Sequence, residues 1–138
     1  MHGFAPPSIA GVASAYHIDA QSFDGVEVTV VTLSGQATFE RIAGLLRELE
    51  ALQPSRVLVD ESGLRPGFIT PNQIGEIAAL WRNATAFRSA WIGVSAPSPV
   101  IYGLNRMFQA LANAEGRVAV FNSRAAALAW LLGTETGG

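Results

Sequence analysis

Apolar positions along the chain change rhythm once, from alternation by two to alternating helical and strand-like runs. Val26, Val28, Val30, Val31 and Leu33 form a β-branched run of strand character. Tyr16 to Gln21 precedes it, with Phe23-Asp24-Gly25 between the two. Asp-Gly between such runs predicts an antiparallel hairpin, because Gly readily takes the positive φ that a tight turn needs. After the hairpin, Thr38 fits an N-cap, and Phe39, Ile42, Leu46 and Leu49 recur at helical spacing, widened by Leu45 and Leu52. Pro54 stops that helix, and Arg56 to Asp60 holds Val57-Leu58-Val59, a short run suited to a strand covered on both faces.

Thr70-Pro71-Asn72-Gln73 reads as a capping box with Pro at the first helical position, and Ile74, Ile77, Ala78 and Trp81 form the inward face behind it. Phe87 to Val94 is the next expected strand, with a register shift near Arg88. Ser98-Pro99 starts a helix to Ala112 with Leu104, Met107, Phe108 and Leu111 inward. Arg117 to Phe121 gives a last strand, and Ser123 caps a final helix with Ala125, Leu128, Ala129 and Leu132 inward. The order is ββαβαβαβα. It predicts a single α/β domain over residues 16–132, with an N-terminal antiparallel hairpin on a mixed, largely parallel sheet joined by right-handed crossovers. Residues 1–15 are expected to be a flexible arm and 133–138 a flexible tail. Ala13-Ser14-Ala15 looks like a small-residue cleavage site, but the start lacks Lys or Arg and Pro6-Pro7 breaks its apolar run, so an arm is preferred to a signal peptide.

Composition narrows the chemistry. At 138 residues, folding buries roughly two-thirds of the unfolded surface. Apolar residues make up 49% and charged residues 14%, which excludes a disordered chain. All 9 basic residues are Arg against 11 acidic ones, a net charge of −2. Without Lys there is no Schiff base, no P-loop lysine and no cationic run for nucleic acid. Without Cys there is no disulfide, thiolate nucleophile or cysteine metal site. No stretch approaches the roughly 18 apolar residues of a membrane span, and a cytoplasmic location is expected. The two histidines are His2 and His17, so no helical His pair forms, and no Gly-x-Ser-x-Gly elbow accompanies a serine. Glu48 and Glu50 are two apart on a helix and diverge. No enzyme, metal or cofactor is expected.

Particular residues carry a family likeness. Leu33-Ser34-Gly35, Val57-Leu58-Val59-Asp60, Tyr102-Gly103-Leu104-Asn105-Arg106-Met107-Phe108, Val120-Phe121 and Ala127-Leu128-Ala129-Trp130-Leu131, in this order of elements, resemble the STAS-like fold. The likeness is to its SpoIIAA-like branch, whose shape is compared with Sec14 lipid-binding domains, and it spans residues 16–132. It implies a non-enzymatic binding domain. In STAS antagonists a serine after the third strand, at the start of the next helix, is phosphorylated to switch protein binding; the Sec14 comparison implies a small lipophilic ligand.

Three groups of residues follow from these implications. Asp60-Glu61-Ser62-Gly63 matches the switch segment, making Ser62, and after it Thr70, candidate phosphorylation sites. The match is imperfect, because Arg65-Pro66-Gly67-Phe68-Ile69 separates Ser62 from the helix cap. A polar loop turning at Gly63 is the plainer account. Ligands in open α/β sheets gather beyond the carboxyl ends of the strands. There Phe68 and Ile69 could lid a cleft walled by Trp81, Phe87 and Trp91, with Arg65 or Arg82 meeting a polar head; the same aromatics could equally complete the core. On the helix after Ser98, Tyr102 and Arg106 share one surface, as do Asn105 and Gln109. They suit a ligand cap or a partner interface, or a solvated face with Arg106 paired to a carboxylate such as Asp60. The favoured function is binding of a small lipophilic or amphiphilic ligand through Arg65, Phe68, Ile69, Trp81, Tyr102 and Arg106. The alternative is a protein-interaction module like the anti-sigma factor antagonists, and a homodimer suits either.

Overall fold

The structure, a computed structural model, describes residues 15–36, 38–65, 69–84, 90–112 and 116–134. Five strands and four helices follow one another as β1 (Ala15–Phe23), β2 (Val26–Gln36), α1 (Phe39–Leu52), β3 (Arg56–Arg65), α2 (Pro71–Asn83), β4 (Trp91–Ser95), α3 (Pro99–Ala112), β5 (Val118–Phe121) and α4 (Arg124–Leu132). This is the expected ββαβαβαβα order. The expected arm up to residue 14, the residues from 135 onward, and Phe68, Phe87 and Arg88 lie outside the described residues.

Asp24 and Gly25 both take positive φ, 53° and 80°, and close the β1–β2 hairpin with Phe23 opposite Val26. That geometry gives the twist two antiparallel strands require. The strands then lie side by side in chain order, β1-β2-β3-β4-β5, with every pair after the first parallel. Crossovers of one hand that always step the same way leave their helices on one face. Leu45 and Leu49 of α1, Ala78 and Trp81 of α2, and Ile101 of α3 accordingly pack in one core with Val31, Leu33, Val57 and Val94 of the sheet. On the opposite face, Ala127 and Leu131 of α4 pack on Val28, Val30 and Leu58. Alternate residues of β2 and β3 thus enter different cores, which is why both strands read as nearly unbroken apolar runs.

Helix starts are set by side chains. Thr70 Oγ1 accepts from Gln73 N at 3.2 Å while Thr70 N donates to Gln73 Oε1 at 3.0 Å, completing the predicted capping box. Thr38 and Ser123 cap α1 and α4 through one bond each, accepting from Arg41 N and Ala126 N. Gly93 admits α4 closely: a Cβ there would stand 3.1 Å from Leu131 Cγ and 3.2 Å from Ala127 O. At the far end of α4, Arg56 donates to Leu131 O at 3.0 Å and to Thr134 O at 2.7 Å.

The helix phases differ from expectation in two places. In α3 the inward residues are Ile101, Leu104, Asn105, Phe108 and Ala112, whereas Met107 and Leu111, expected inward, are exposed. A polar residue therefore occupies an inward position, satisfied by the partners described below. In α4, Ala127 and Leu131 are buried and Ala125 and Ala129 exposed. A helix of nine residues, RAAALAWLL, is apolar nearly all round and carries little phase information.

Candidate functional site

The third strand does not end at Asp60. It continues to Arg65, pairing Ser34 with Gly63, Gly35 with Leu64 and Gln36 with Arg65. Between the Thr32–Asp60 and Ser34–Gly63 pairs, β2 supplies only Leu33 whereas β3 supplies Glu61 and Ser62. This is a β-bulge, and it replaces the loop expected from Glu61 onward. One extra residue moves the following side chains to the other face. Val57, Val59 and Glu61 face the three-helix side in regular alternation, and the bulge returns Leu64 to that same side. An Asp and a Ser two apart build it: Asp60 Oδ1 accepts from Ser62 N at 3.0 Å and from Ser62 Oγ at 2.7 Å. Gly63 is needed where the strands close up, since a Cβ there would lie 3.1 Å from Leu33 O.

Asp60 and Glu61, adjacent in sequence, serve opposite faces. Asp60 is buried and meets Arg124 of α4, Nη1 to Oδ2 at 3.0 Å. Burial pulls its pKa upward, but the bonds from Ser62 and Arg124 outweigh that and hold its carboxyl below the usual range. Glu61 is buried on the three-helix side, where Asn105 Nδ2 donates to its Oε1 at 2.6 Å and to Ile101 O at 2.9 Å. Burial pushes the Glu61 carboxyl up to about 7; the Asn105 bond opposes this and the Asp60 charge adds to it.

Above Glu61 lies a cavity of about 140 Å³ between the sheet and α1, α2 and α3. Its lining is apolar apart from Glu61, Arg65 and Asn105. Trp81 and Phe108 form one wall in a T-shaped contact, with ring centroids 6.1 Å apart. Half-buried Ile69 closes on it from the segment after β3.

The expected site residues divide between this cavity and the surface. Arg65, Ile69 and Trp81 line the cavity. Tyr102 is half-buried and its hydroxyl accepts from Arg106 Nη1 at 3.4 Å, so Arg106 turns to its own helix, and Asp60 takes Arg124 instead. Ser62 is exposed on the bulge, whereas the Thr70 hydroxyl serves the α2 cap. Two expected participants stand elsewhere. Trp91 packs on the α4 side against Trp130, centroids 5.8 Å apart, with the Arg117 guanidinium 4.5 Å from its ring centre. Arg82 donates to Leu111 O at 2.5 Å, outside the cavity lining. Glu61, expected in a polar loop, and Asn105, expected on a helix surface, instead meet as the polar pair of the cavity. Leu64, apolar at the phase a bulge would restore, was the available signal.

Comparison with known proteins agrees with this architecture. No protein-family model and no curated protein matches the chain. Among solved structures, an uncharacterised DUF3478-family protein with a SpoIIAA-like fold from Shewanella loihica superposes with a TM-score of 0.58 at 13% identity, over 94% of this chain and 99% of that one. An anti-sigma factor antagonist from Mycobacterium paratuberculosis superposes with a TM-score of 0.51 at 17% identity, over 86% and 95%. The chain has the SpoIIAA-like, STAS fold. No helix among the described residues is long and apolar enough to cross a membrane.

Proposed function

We propose that the chain is a non-enzymatic regulatory module that binds a protein partner, with the end of β3 and the adjoining first half of α3 as its contact face and Ser62 as its switch. The observation that carries this reading is the exposed Ser62 hydroxyl, held on a braced bulge in a fold shared with an anti-sigma factor antagonist. A phosphate placed there by a partner kinase adds nearly two negative charges. It replaces the hydroxyl donated to Asp60 by repulsion and competes for Arg124, whose side chain is 44% exposed. The surface of the bulge and the start of α4 then change together. Arg65, Tyr102 and Arg106 border that face, and Tyr and Arg are residues on which interfaces anchor.

Catalysis by the same serine finds little support. His17 pairs with Thr32 on β2, which in turn pairs with Asp60, so two strand spacings, about 10 Å, separate His17 from Asp60. The group beside Ser62 is Asp60, held as a carboxylate of low basicity.

A photo-crosslinking amino acid in place of exposed Arg106, expressed in the native host, tests the proposal. It predicts a discrete adduct with one protein that disappears when Ser62→Glu is added. An adduct indifferent to Ser62→Glu, or no adduct in any growth phase, refutes it.

A further inference from the structure

The cavity over Glu61 is independent of the Ser62 surface and has a chemistry of its own. Its volume, about 140 Å³, is close to that of engineered apolar cavities that stay dry and admit a single benzene ring. A phospholipid or a long fatty chain would extend beyond that volume. Glu61 is 91% buried by its 9% relative exposure, lines the cavity, and satisfies only one carboxyl oxygen, Oε1. Its Oε2 makes no hydrogen bond among the described residues. Asn105 spends Nδ2 on Glu61 and Ile101, and its Oδ1 likewise makes none. A buried carboxyl oxygen left in this condition calls for a partner, and the half-buried Asn105 stands beside it.

We infer that the cavity binds a small, neutral, single-ring or comparably compact apolar molecule carrying one hydroxyl, its apolar body against Trp81 and Phe108 and its hydroxyl on the Glu61–Asn105 pair. Asn105 Oδ1 accepts, and Glu61 Oε2 accepts when ionised and donates when burial keeps the carboxyl protonated, so the matching ligand group is a hydroxyl, which can do both. An anionic head against the pair would lose its hydration in this apolar lining beside the Glu61 carboxyl, and is disfavoured there. The charged and titratable groups around the pair are Asp60, on the same strand, and Arg65, farther along it; α1, α2 and α3 contribute only apolar lining residues and Asn105.

Three tryptophans make the test direct, because Trp81 lines the cavity while Trp91 and Trp130 pack together on the opposite side of the sheet. Titration of the 15N-labelled protein with phenol, followed through the three indole N–H signals and assigned with Trp81→Phe, predicts a saturable shift of Trp81 alone. Toluene, which lacks the hydroxyl, binds at least tenfold more weakly. Glu61→Leu brings the two affinities within about twofold of one another, and Ile77→Phe, which fills the cavity without touching the polar pair, abolishes both. Unmoved Trp91 and Trp130 signals report that each variant is folded. No saturable Trp81 shift by phenol, an unchanged phenol preference in Glu61→Leu, or tighter binding of decanoate than of phenol would overturn the inference.

Discussion

Asn105 Nδ2 donates to Glu61 Oε1 at 2.6 Å, joining residues 44 positions apart and tying the first half of α3 to the bulge of β3. The pair sits in apolar surroundings that favour the neutral acid, and this has a measurable consequence.

Glu61 titrates near 4.5 in the unfolded chain and near 7 in the folded one. The folded state therefore holds the proton over that interval while the unfolded state has lost it, so stability falls as pH rises from 4.5 to 7 and levels off above. The difference is on the order of 3 kcal/mol. Glu61→Gln keeps an acceptor for Asn105 and removes the titration. Urea unfolding at pH 8 is expected to show the variant more stable than the parent, and unfolding at pH 4.5 to show the two nearly equal.

Asp60 titrates in the opposite sense. Its folded pKa is depressed, so its contribution is present above the unfolded value of 3.8 and is lost as pH falls through the folded one. Arg124→Ala is expected to cost no more than about 1 kcal/mol at neutral pH, because the arginine is partly exposed and screened by solvent. Its clearer signature is an acid-unfolding midpoint moved to higher pH.

Two glycines separate packing from propensity. Gly93→Ala pushes a methyl against Leu131 and the Ala127 carbonyl, and thermal or urea unfolding should show a loss of about 1–3 kcal/mol. Gly75→Ala, within α2, meets nothing within 4 Å and should stabilise by about 0.5–1 kcal/mol.

The elements most legible in the sequence are those fixed by local chemistry. Asp24-Gly25 can hardly be anything but a tight turn, and Thr70-Pro71-Asn72-Gln73 declares a helix start, because both act through neighbouring backbone groups. The inward set of α2, Ile74, Ile77, Ala78 and Trp81, is equally plain, since its polar and apolar positions segregate. What the sequence hid depends on contacts between distant segments. Asp60-Glu61-Ser62-Gly63 has the composition of a loop, and only pairing with Ser34 and Gly35 makes it a strand with a bulge. Asn105 reads as a surface residue until Glu61 and the Ile101 carbonyl supply its partners. The polar residues that line the cavity are Glu61 and Asn105 together with Arg65, and only Arg65 is legible from the sequence as a candidate.

Ser62 is the centre of the proposed regulation, and site-resolved phosphorylation mapping of the protein isolated from its own host tests that role most directly. The predicted result is a phosphate on Ser62 in at least one growth condition, absent from a Ser62→Ala strain. Recovery of the Ser62 peptide unmodified in every condition, or phosphate confined to other residues, would contradict it.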